Sequence, residues 1–321
     1  MTTHEPLFLM SPPRPDWGLR GKANFLSAAS TTPPTPRGAL QDWLSIANAI
    51  EEAGGHVVVL PPPPQDNLTG LPYVAEAGHS FLDGNGRVGV FLPRMKPAHR
   101  AAESMLLAGF YAALGFETRA APGLWEGQGD VIRVDAQRLI HTVGEGPHAR
   151  TTAEAYSVIA PALSAQHIQL RFKADPWFHG NTFLGAYHAV DGTRVTVLVC
   201  PEALLGDGLE QLRAFVAPHA VVTIAAGASR AYATNALQVR NTVLAPRGLQ
   251  ADVFEVWRDL GLRVVELDLD TLFRSGGGAA VCLTNRLDGV TLRDVPQHLR
   301  YVNQAEHWRA RLEEYPATPV L

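Results

Sequence analysis

The chain has 321 residues, of which 46% are hydrophobic and 18% are charged, and its formal net charge is −4. A chain of this length and composition predicts a globular protein with a large core, built as one domain or two. The acidic balance argues against a nucleic-acid partner, because proteins that neutralise phosphates usually carry an excess or a stripe of Lys and Arg.

Three features of the sequence predict a cytoplasmic location. The N-terminus has no cationic segment followed by a long apolar one, which is the pattern of a secretory signal. No apolar run approaches the ~20 residues of a membrane helix, so no membrane partner is expected. The two cysteines, Cys200 and Cys282, give no disulfide framework. Cys200 ends an apolar strand-like run and is interpreted as a buried small hydrophobe.

In chain order, the hydrophobic pattern predicts strands and helices that recur. A strand at 7–10 is followed by a Pro-rich loop, a helix at 37–53 and a strand at 56–60. Four units then follow, and each consists of a hairpin, a helix and a strand in that order. The hairpins are predicted at 73–92, 130–141, 182–200 and 235–245. The helices are predicted at 96–114, 149–163, 209–216 and 251–260, and the strands at 116–120, 167–172, 220–225 and 263–269. The period is roughly 50 residues, which is typical of propellers and arrays.

A final strand at 279–284 has no helix of its own and can complete the first unit. This pairing of the chain ends predicts an α/β fold, a ring of five ββαβ units whose closure hides the sheet edges. The whole chain, 1–321, is expected to form a single domain, with 291–321 as a C-terminal helical tail packed on the ring or on a partner subunit. The sequence leaves open whether the protein is a homodimer.

Four polar or nucleophilic residues share one position in this repeat. Glu76, Glu126, His179 and Cys282 each lie where the chain enters the first strand of a hairpin, at separations of 50, 53 and 103 residues. A common position in a closed ring places side chains around one axis. The pattern therefore predicts one pocket that holds a thiol, an imidazole and two carboxylates.

These residue types suit nucleophilic catalysis. Cys282 follows three consecutive glycines, which let the backbone lie close to a ligand, and it is the candidate nucleophile. The reactive form is the thiolate, so a base or a cation must lie nearby. His179 can donate and accept protons, either Glu126 or Asp130 can orient its imidazole, and Glu76 suits a planar guanidinium. This chemistry needs no metal and no other cofactor, and none is predicted.

Three segments carry a resemblance to a known family. They are Leu124–Asp130, Asp175–Thr182 and Gly276–Thr284, which read LWEGQGD, DPWFHGNT and GGGAAVCLT. In order and spacing they resemble the signature regions of the guanidino-modifying, or pentein, superfamily. This superfamily includes amidinotransferases, arginine deiminases and dimethylarginine dimethylaminohydrolases, and the likeness extends over roughly residues 7 to 290.

The resemblance implies a five-bladed α/β propeller and a set of catalytic roles. Cys282 is expected to attack the guanidinium carbon, and His179 to protonate the departing amine. Water or an acceptor amine would then resolve a covalent thiouronium-type intermediate. Glu126 matches the acidic partner of the histidine, and Asp130 matches the second acid of that motif and is expected to bind substrate.

The resemblance also implies substrate-binding residues. Glu76 falls where the family places a carboxylate or asparagine against the guanidinium, and Arg150 resembles an arginine that binds a substrate carboxylate. The family motif His-x-Asp reads His179-Gly180-Asn181 here. Because Asn181 replaces an anionic anchor, free arginine is less favoured than a substituted, less basic or differently shaped guanidine or amidine.

The resulting functional prediction is a cysteine-dependent hydrolase that cleaves a C–N bond of a small guanidino or amidino compound. Two alternatives remain at this stage. An amidinotransferase would use the same covalent intermediate, and a non-catalytic pentein-fold binding protein would use only the ring.

Overall fold

The computed structural model describes residues 5–19, 24–64 and 68–320. Its strands form five sheets of three strands each, in the orders β15-β1-β2, β3-β4-β5, β6-β7-β8, β11-β10-β9 and β12-β13-β14. The strands are β1 Leu7–Met10, β2 His56–Val59, β3 His79–Leu82, β4 Val88–Leu92, β5 Glu117–Ala120, β6 Val131–Arg133, β7 Arg138–Glu145, β8 Gln166–Lys173, β9 Leu184–His188, β10 Val195–Val199, β11 Ala220–Thr223, β12 Leu237–Val239, β13 Thr242–Pro246, β14 Arg263–Leu267 and β15 Asn285–Arg286.

Every sheet has the same construction. Its middle strand pairs antiparallel with an inner strand and parallel with an outer strand, which is the order expected of a ββαβ unit. In the first sheet the inner strand comes from the far end of the chain, with Leu9 opposite Asn285 and Phe8 opposite Val57. The chain ends therefore close the ring, and the predicted fold is confirmed.

The α-helices connect and flank these sheets. They are α1 Phe25–Ala29, α2 Pro36–Glu52, α3 Glu103–Ala113, α4 Ala153–Ile159, α5 Gly208–Val216, α6 Ala226–Arg230, α7 Ala251–Asp259 and α8 Ala305–Ala310. Within the described part of the chain, none is long and apolar enough to cross a membrane. In α2, Thr35 caps the first turn by accepting a hydrogen bond from the Gly38 amide, and Gly54 follows the last turn with φ +81°.

Two predicted helices are shorter than their hydrophobic pattern. The helix predicted at 96–114 begins at Glu103, because Pro97 starts a separate 3₁₀ turn at Ala98–Arg100. The helix predicted at 149–163 is confined to Ala153–Ile159, and Pro161 lies in the 3₁₀ turn that follows. Both differences lie at element ends, where a hydrophobic period carries the least information.

The strand predicted at 279–284 is wrong. The segment forms tight turns, with the Leu283 amide donating to Ala279 O and the Thr284 amide to Val281 O, and the strand begins only at Asn285. Its apolar character reflects burial, since Ala279, Ala280 and Leu283 are all fully buried. A short buried apolar run has no periodicity that separates a strand from other buried segments.

The tail, expected to be helical within 291–321, is not a continuous helix. It consists of 3₁₀ turns around the short helix α8. The tail packs on the first unit, where Trp308 and Tyr301 meet the ring of Trp43 edge-on at centroid distances of 5.6 and 5.5 Å. The aromatic residues, rather than helical periodicity, fix its position.

Candidate active site

Five turns at the same end of the inner strands build the site. Turns at Val74–Glu76, Gly127–Gly129, Gly180–Thr182 and Ala233–Asn235 precede β3, β6, β9 and β12, and the turn that contains Cys282 precedes β15. Inner strands of neighbouring sheets contact one another at the hub. Residues that are distant in sequence therefore meet at one end of the ring axis.

The glycine run before Cys282 gives close packing. Gly277 has φ +83°, a left-handed conformation that strains other residues. Gly276 and Gly278 lie against the ring of Tyr73, where an added Cβ would collide with it. Only one of the three glycines thus needs its backbone freedom, and the other two make room for Tyr73 beside the nucleophile.

The Cys282 thiol lies between two asparagine side chains. Asn235 Nδ2 donates a hydrogen bond to Sγ at 3.2 Å, and Asn181 Oδ1 lies 3.8 Å from Sγ. The side chain is buried, at 2% exposure. Burial, and then the charge of Glu76, raises the pKa of Cys282 to about 12, while the hydrogen bond from Asn235 opposes this rise. Burial and the charge of Glu76 thus favour the protonated thiol over the thiolate.

His179 and Glu126 form a buried ion pair. His179 Nε2 lies 2.8 Å from Glu126 Oε2, and Arg150 Nη1 lies 3.4 Å from the same oxygen. Burial alone would raise the pKa of Glu126, but Arg150 and His179 outweigh it and lower that pKa to about 2. Burial alone would lower the pKa of His179, but its hydrogen bond to Glu126 and the nearby carboxylates raise it overall. The imidazole therefore favours the protonated, proton-donating state.

Asp130 has a different place. Its carboxylate accepts hydrogen bonds from the hydroxyls of Thr142 and Thr151, each at 2.6 Å, and from the Gly180 amide at 2.9 Å. These bonds hold the turn that carries His179. Of the two carboxylates left open by the sequence, Glu126 is the one hydrogen-bonded to the imidazole, and Asp130 supports the backbone next to it.

Glu76 is already paired with a cation. Its Oε2 accepts a hydrogen bond from Arg100 Nη1 at 2.6 Å, and Arg100 also forms two hydrogen bonds with Glu103, at 2.9 and 2.7 Å. All three side chains are buried. The sequence assigns Glu76 to a guanidinium substrate, but in the structure its charge is already paired with Arg100, which Glu76 shares with Glu103. The other oxygen of Glu76 lies 3.3 Å from His179 Nδ1, without the direction of a hydrogen bond.

A cavity of about 70 Å³ contains the sulfur. Its lining includes Glu76, Arg100, Arg150 and Cys282, together with the ring of Phe178. The Arg150 guanidinium lies 4.8 Å from the centroid of that ring, a cation–π distance. Leu19, Asn24 and Ser27 also line the cavity, and Ser27 lies in α1. Residues 20–23, in the segment predicted to be a Pro-rich loop, lie outside the described residues.

A second, larger cavity of about 550 Å³ is lined by residues from the inner strands. Asn181, Val281 and Thr284 line it, but Cys282 is absent from its described lining. Asn181 thus lines the larger cavity, and its Oδ1 lies 3.8 Å from the sulfur of Cys282, which lines the smaller one. A substrate that reacts with the thiol must enter the smaller one.

Three of these side chains could also hold a cation. Glu76, Glu126 and His179 each offer a ligand atom, and these atoms lie within 4.8 Å of one another. Arg100 and Arg150 already place positive charge on the two carboxylates. The site as described thus balances its carboxylates with its own arginines.

Sequence comparison finds relatives that are less than 30% identical to this chain. No family model matches it. An uncharacterized protein of Caenorhabditis elegans is 29% identical over 256 residues, covering 78% of this chain and 83% of that protein. An N(G),N(G)-dimethylarginine dimethylaminohydrolase of Mycobacterium tuberculosis is 28% identical over 255 residues, covering 78% of this chain and 77% of the enzyme.

A solved structure decides the fold. The N-terminal domain of ArgZ, an arginine dihydrolase from cyanobacteria, was solved with a covalently bound reaction intermediate. It matches with a TM-score of 0.76 at 21% identity, covering 88% of this chain and 98% of that domain. The chain is a pentein-fold protein.

In this pentein-fold protein, sequence reasoning missed Arg100, and from its place in the fifth unit it interprets Asn235 as structural or as a residue that lines the pocket. Asn235 shares the repeat position of Glu76, Glu126 and His179, so its position was the available signal. Arg100 lies one helical turn before Glu103, and that spacing indicates a local ion pair as readily as a site residue. Nothing in the sequence indicates that Arg100 also reaches Glu76.

Proposed function

We propose that this protein is a cysteine-dependent hydrolase that cleaves a C–N bond of a small guanidino compound. The observation that carries the proposal is the convergence of a buried thiol, a histidine–carboxylate pair and a further carboxylate on one end of the ring axis. Catalytic roles for Cys282, His179 and Glu126 follow from it, and Glu76, Arg150 and Asn181 are assigned to substrate binding.

Substrate binding would prepare the nucleophile. A guanidinium in the cavity places positive charge beside Glu76 and the sulfur, which offsets the charge that keeps the thiol protonated. The thiol proton then leaves to solvent. Arg150, at the cavity wall, suits a carboxylate at the other end of the substrate. The preferred class is therefore a guanidino acid related to arginine.

The covalent steps use one histidine twice. The Cys282 thiolate attacks the guanidinium carbon, and His179 gives its proton to the amine nitrogen as the C–N bond breaks. Water then attacks the thiouronium carbon, and His179 takes one of its protons. Breakage of the C–S bond releases a urea-type product, the thiolate is restored, and the second proton goes to solvent or to the released amine. Glu126 keeps the imidazole oriented throughout.

Two relatives support hydrolysis over amidino transfer, since one is named a dimethylaminohydrolase and the other an arginine dihydrolase. Asn181 favours a substituted guanidine over free arginine as the substrate. Its neutral amide stands near the sulfur, where the motif of the resembled family has a carboxylate.

The test is a turnover assay with arginine, N-methylated arginines and other guanidino acids, each with and without acceptor amines. Mass spectrometry distinguishes ureido products from new guanidines. Ureido products support the proposal, and new guanidines that appear only with an acceptor amine would make the protein an amidinotransferase. Absence of turnover on the whole panel, together with no reaction of Cys282 with a haloacetamidine, would favour a binding protein.

A further inference from the structure

The side chain of Asn235 is fixed in one orientation. Its Oδ1 accepts a hydrogen bond from the Cys282 backbone amide at 3.0 Å, and its Nδ2 donates to Sγ at 3.2 Å and to Asn181 O at 3.2 Å. The two amide atoms cannot exchange places, because Nδ2 would then face the Cys282 N–H, donor against donor. The backbone thus directs an amide donor at the sulfur.

The side chain of Asn181 is held less firmly, because among the described residues its amide has a single long contact, to the sulfur. Its Oδ1 lies 3.8 Å from Sγ, and its Nδ2 is buried without a hydrogen-bond partner among the described residues. The residue is 2% exposed, so water does not readily satisfy this donor. A half-turn of the amide would exchange the two atoms and point Nδ2 at the sulfur.

We propose that Asn235 and Asn181 form a two-amide cradle for the Cys282 thiolate, with Asn235 as the fixed donor and Asn181 as a donor that turns when the thiol loses its proton. With the thiol present, Asn181 Oδ1 accepts from S–H. With the thiolate present, Nδ2 gains the sulfur as an acceptor. Both residues touch the reacting atom, so the proposal makes them catalytic residues.

Neutral donors suit this site better than charged ones. A lysine or arginine beside the sulfur would stabilise the thiolate but repel a guanidinium substrate, and an aspartate would do the reverse. An amide stabilises the thiolate without a net charge that opposes the substrate. The cradle gives the replacement of the family aspartate by Asn181 a role at the nucleophile. The cradle rests on the proposed function, but it concerns only the protonation of the Cys282 sulfur.

The test measures the sulfur without a guanidino substrate. Iodoacetamide alkylates Cys282 when the thiolate displaces iodide, so the pH dependence of this rate reports the thiol pKa. Asn235→Ala and Asn181→Ala each remove a donor and change no charge among the titratable groups around the sulfur, which are Glu76, Arg150, Tyr73, Tyr232 and the His179–Glu126 pair. Each variant is expected to shift the profile upward by about one pH unit or more, with alkylation about tenfold slower at neutral pH.

Asn285→Ala is the matched control. Asn285 is equally buried, and its Nδ2 donates to Ala75 O and Gly78 O rather than to sulfur. Its loss should lower the melting temperature without moving the alkylation profile. If Asn235→Ala does not fold, Asn181→Ala keeps the test available, because the hydrogen bonds described for the Asn181 side chain involve the sulfur alone.

Unshifted profiles in the folded Asn→Ala variants would overturn the cradle. This outcome is separable from failure of the proposed function. If the alkylation profile shifts but the protein turns over no guanidine, the cradle is supported and the proposed hydrolase activity is contradicted. If guanidines are turned over but the profile does not shift, the hydrolase is supported and the cradle is contradicted.

Discussion

His179 Nε2 lies 2.8 Å from Glu126 Oε2, and neither side chain has any exposed surface. Arg150 approaches the same carboxylate, so a single anion holds two cationic partners inside the ring. Such an arrangement is stable only while its central charge is present, because an unpaired buried charge is costly.

Glu126→Gln should therefore reduce both stability and activity. Removal of one partner from a buried ion pair costs about 3–5 kcal/mol, and the imidazole loses the group that orients it and keeps it protonated. We expect a lower melting temperature and a large fall in kcat. The measurement is thermal unfolding together with turnover, with Glu313→Gln as a control, since the Glu313 side chain is 83% exposed in its pair with Arg37. Equal effects of the two substitutions would contradict the assignment.

The pH dependence of stability follows from the same carboxylate. The pKa of Glu126 is lowered from 4.5 to about 2, so its contribution is complete above pH 4.5 and is lost as the pH falls towards 2. We expect the melting temperature of the wild type to drop more steeply between pH 4.5 and about pH 2 than that of Glu126→Gln. Parallel curves for the two proteins would show that Glu126 is not held ionised by the fold.

Glu76→Gln should increase the reactivity of Cys282 and weaken the binding of a cationic substrate. The charge of Glu76 raises the pKa of Cys282, so its removal should speed alkylation by neutral iodoacetamide at neutral pH. The same change removes an anion that faces a guanidinium, so KM for a cationic substrate should rise. Glu103→Gln is the matched control, because Glu103 shares Arg100 but does not line the cavity. Slower alkylation in Glu76→Gln would show that Glu76 does not oppose formation of the Cys282 thiolate.

The ring was predictable from the sequence because each unit repeats the same order of hairpin, helix and strand, and its helices end at glycines such as Gly54 and Gly115 with positive φ. The common position of Glu76, Glu126 and His179 was predictable for the same reason, since a repeat converts chain distance into position around an axis. This inference required no knowledge of side-chain contacts.

The contacts themselves were not predictable. Arg100 pairs with Glu76 across 24 residues through a side-chain direction that no pattern encodes. Cys282 was assigned to a strand because its neighbours are apolar, but Asn235 binds its backbone amide and so replaces a strand partner. The choice between Glu126 and Asp130 likewise depended on side-chain direction, because both carboxylates lie within one short segment.

Cys282→Ser should abolish turnover and leave the fold intact. A hydroxyl is a far weaker nucleophile than a thiolate, while the backbone bond from Cys282 to Asn235 does not depend on the sulfur. A haloacetamidine should add mass to the wild type and not to this variant. Cys200→Ser is the control, because Cys200 is buried elsewhere and burial, with Glu202, raises its pKa to about 11. Loss of labelling in Cys200→Ser, or turnover in Cys282→Ser, would contradict the assignment of Cys282 as the nucleophile.

Asn181→Asp should shift substrate preference towards more basic guanidines. The substitution adds a negative charge where Asn181 Oδ1 lies 3.8 Å from the sulfur, which strengthens binding of a cation and also opposes formation of the thiolate. We therefore expect KM and kcat both to fall, with the ratio kcat/KM improving for strongly basic guanidines relative to weakly basic ones. The measurement is kcat and KM across guanidines of graded basicity. Asn241→Asp, which places the same charge on an exposed turn, controls for net charge. An unchanged order of preference in Asn181→Asp would show that this position does not sense the charge of the substrate.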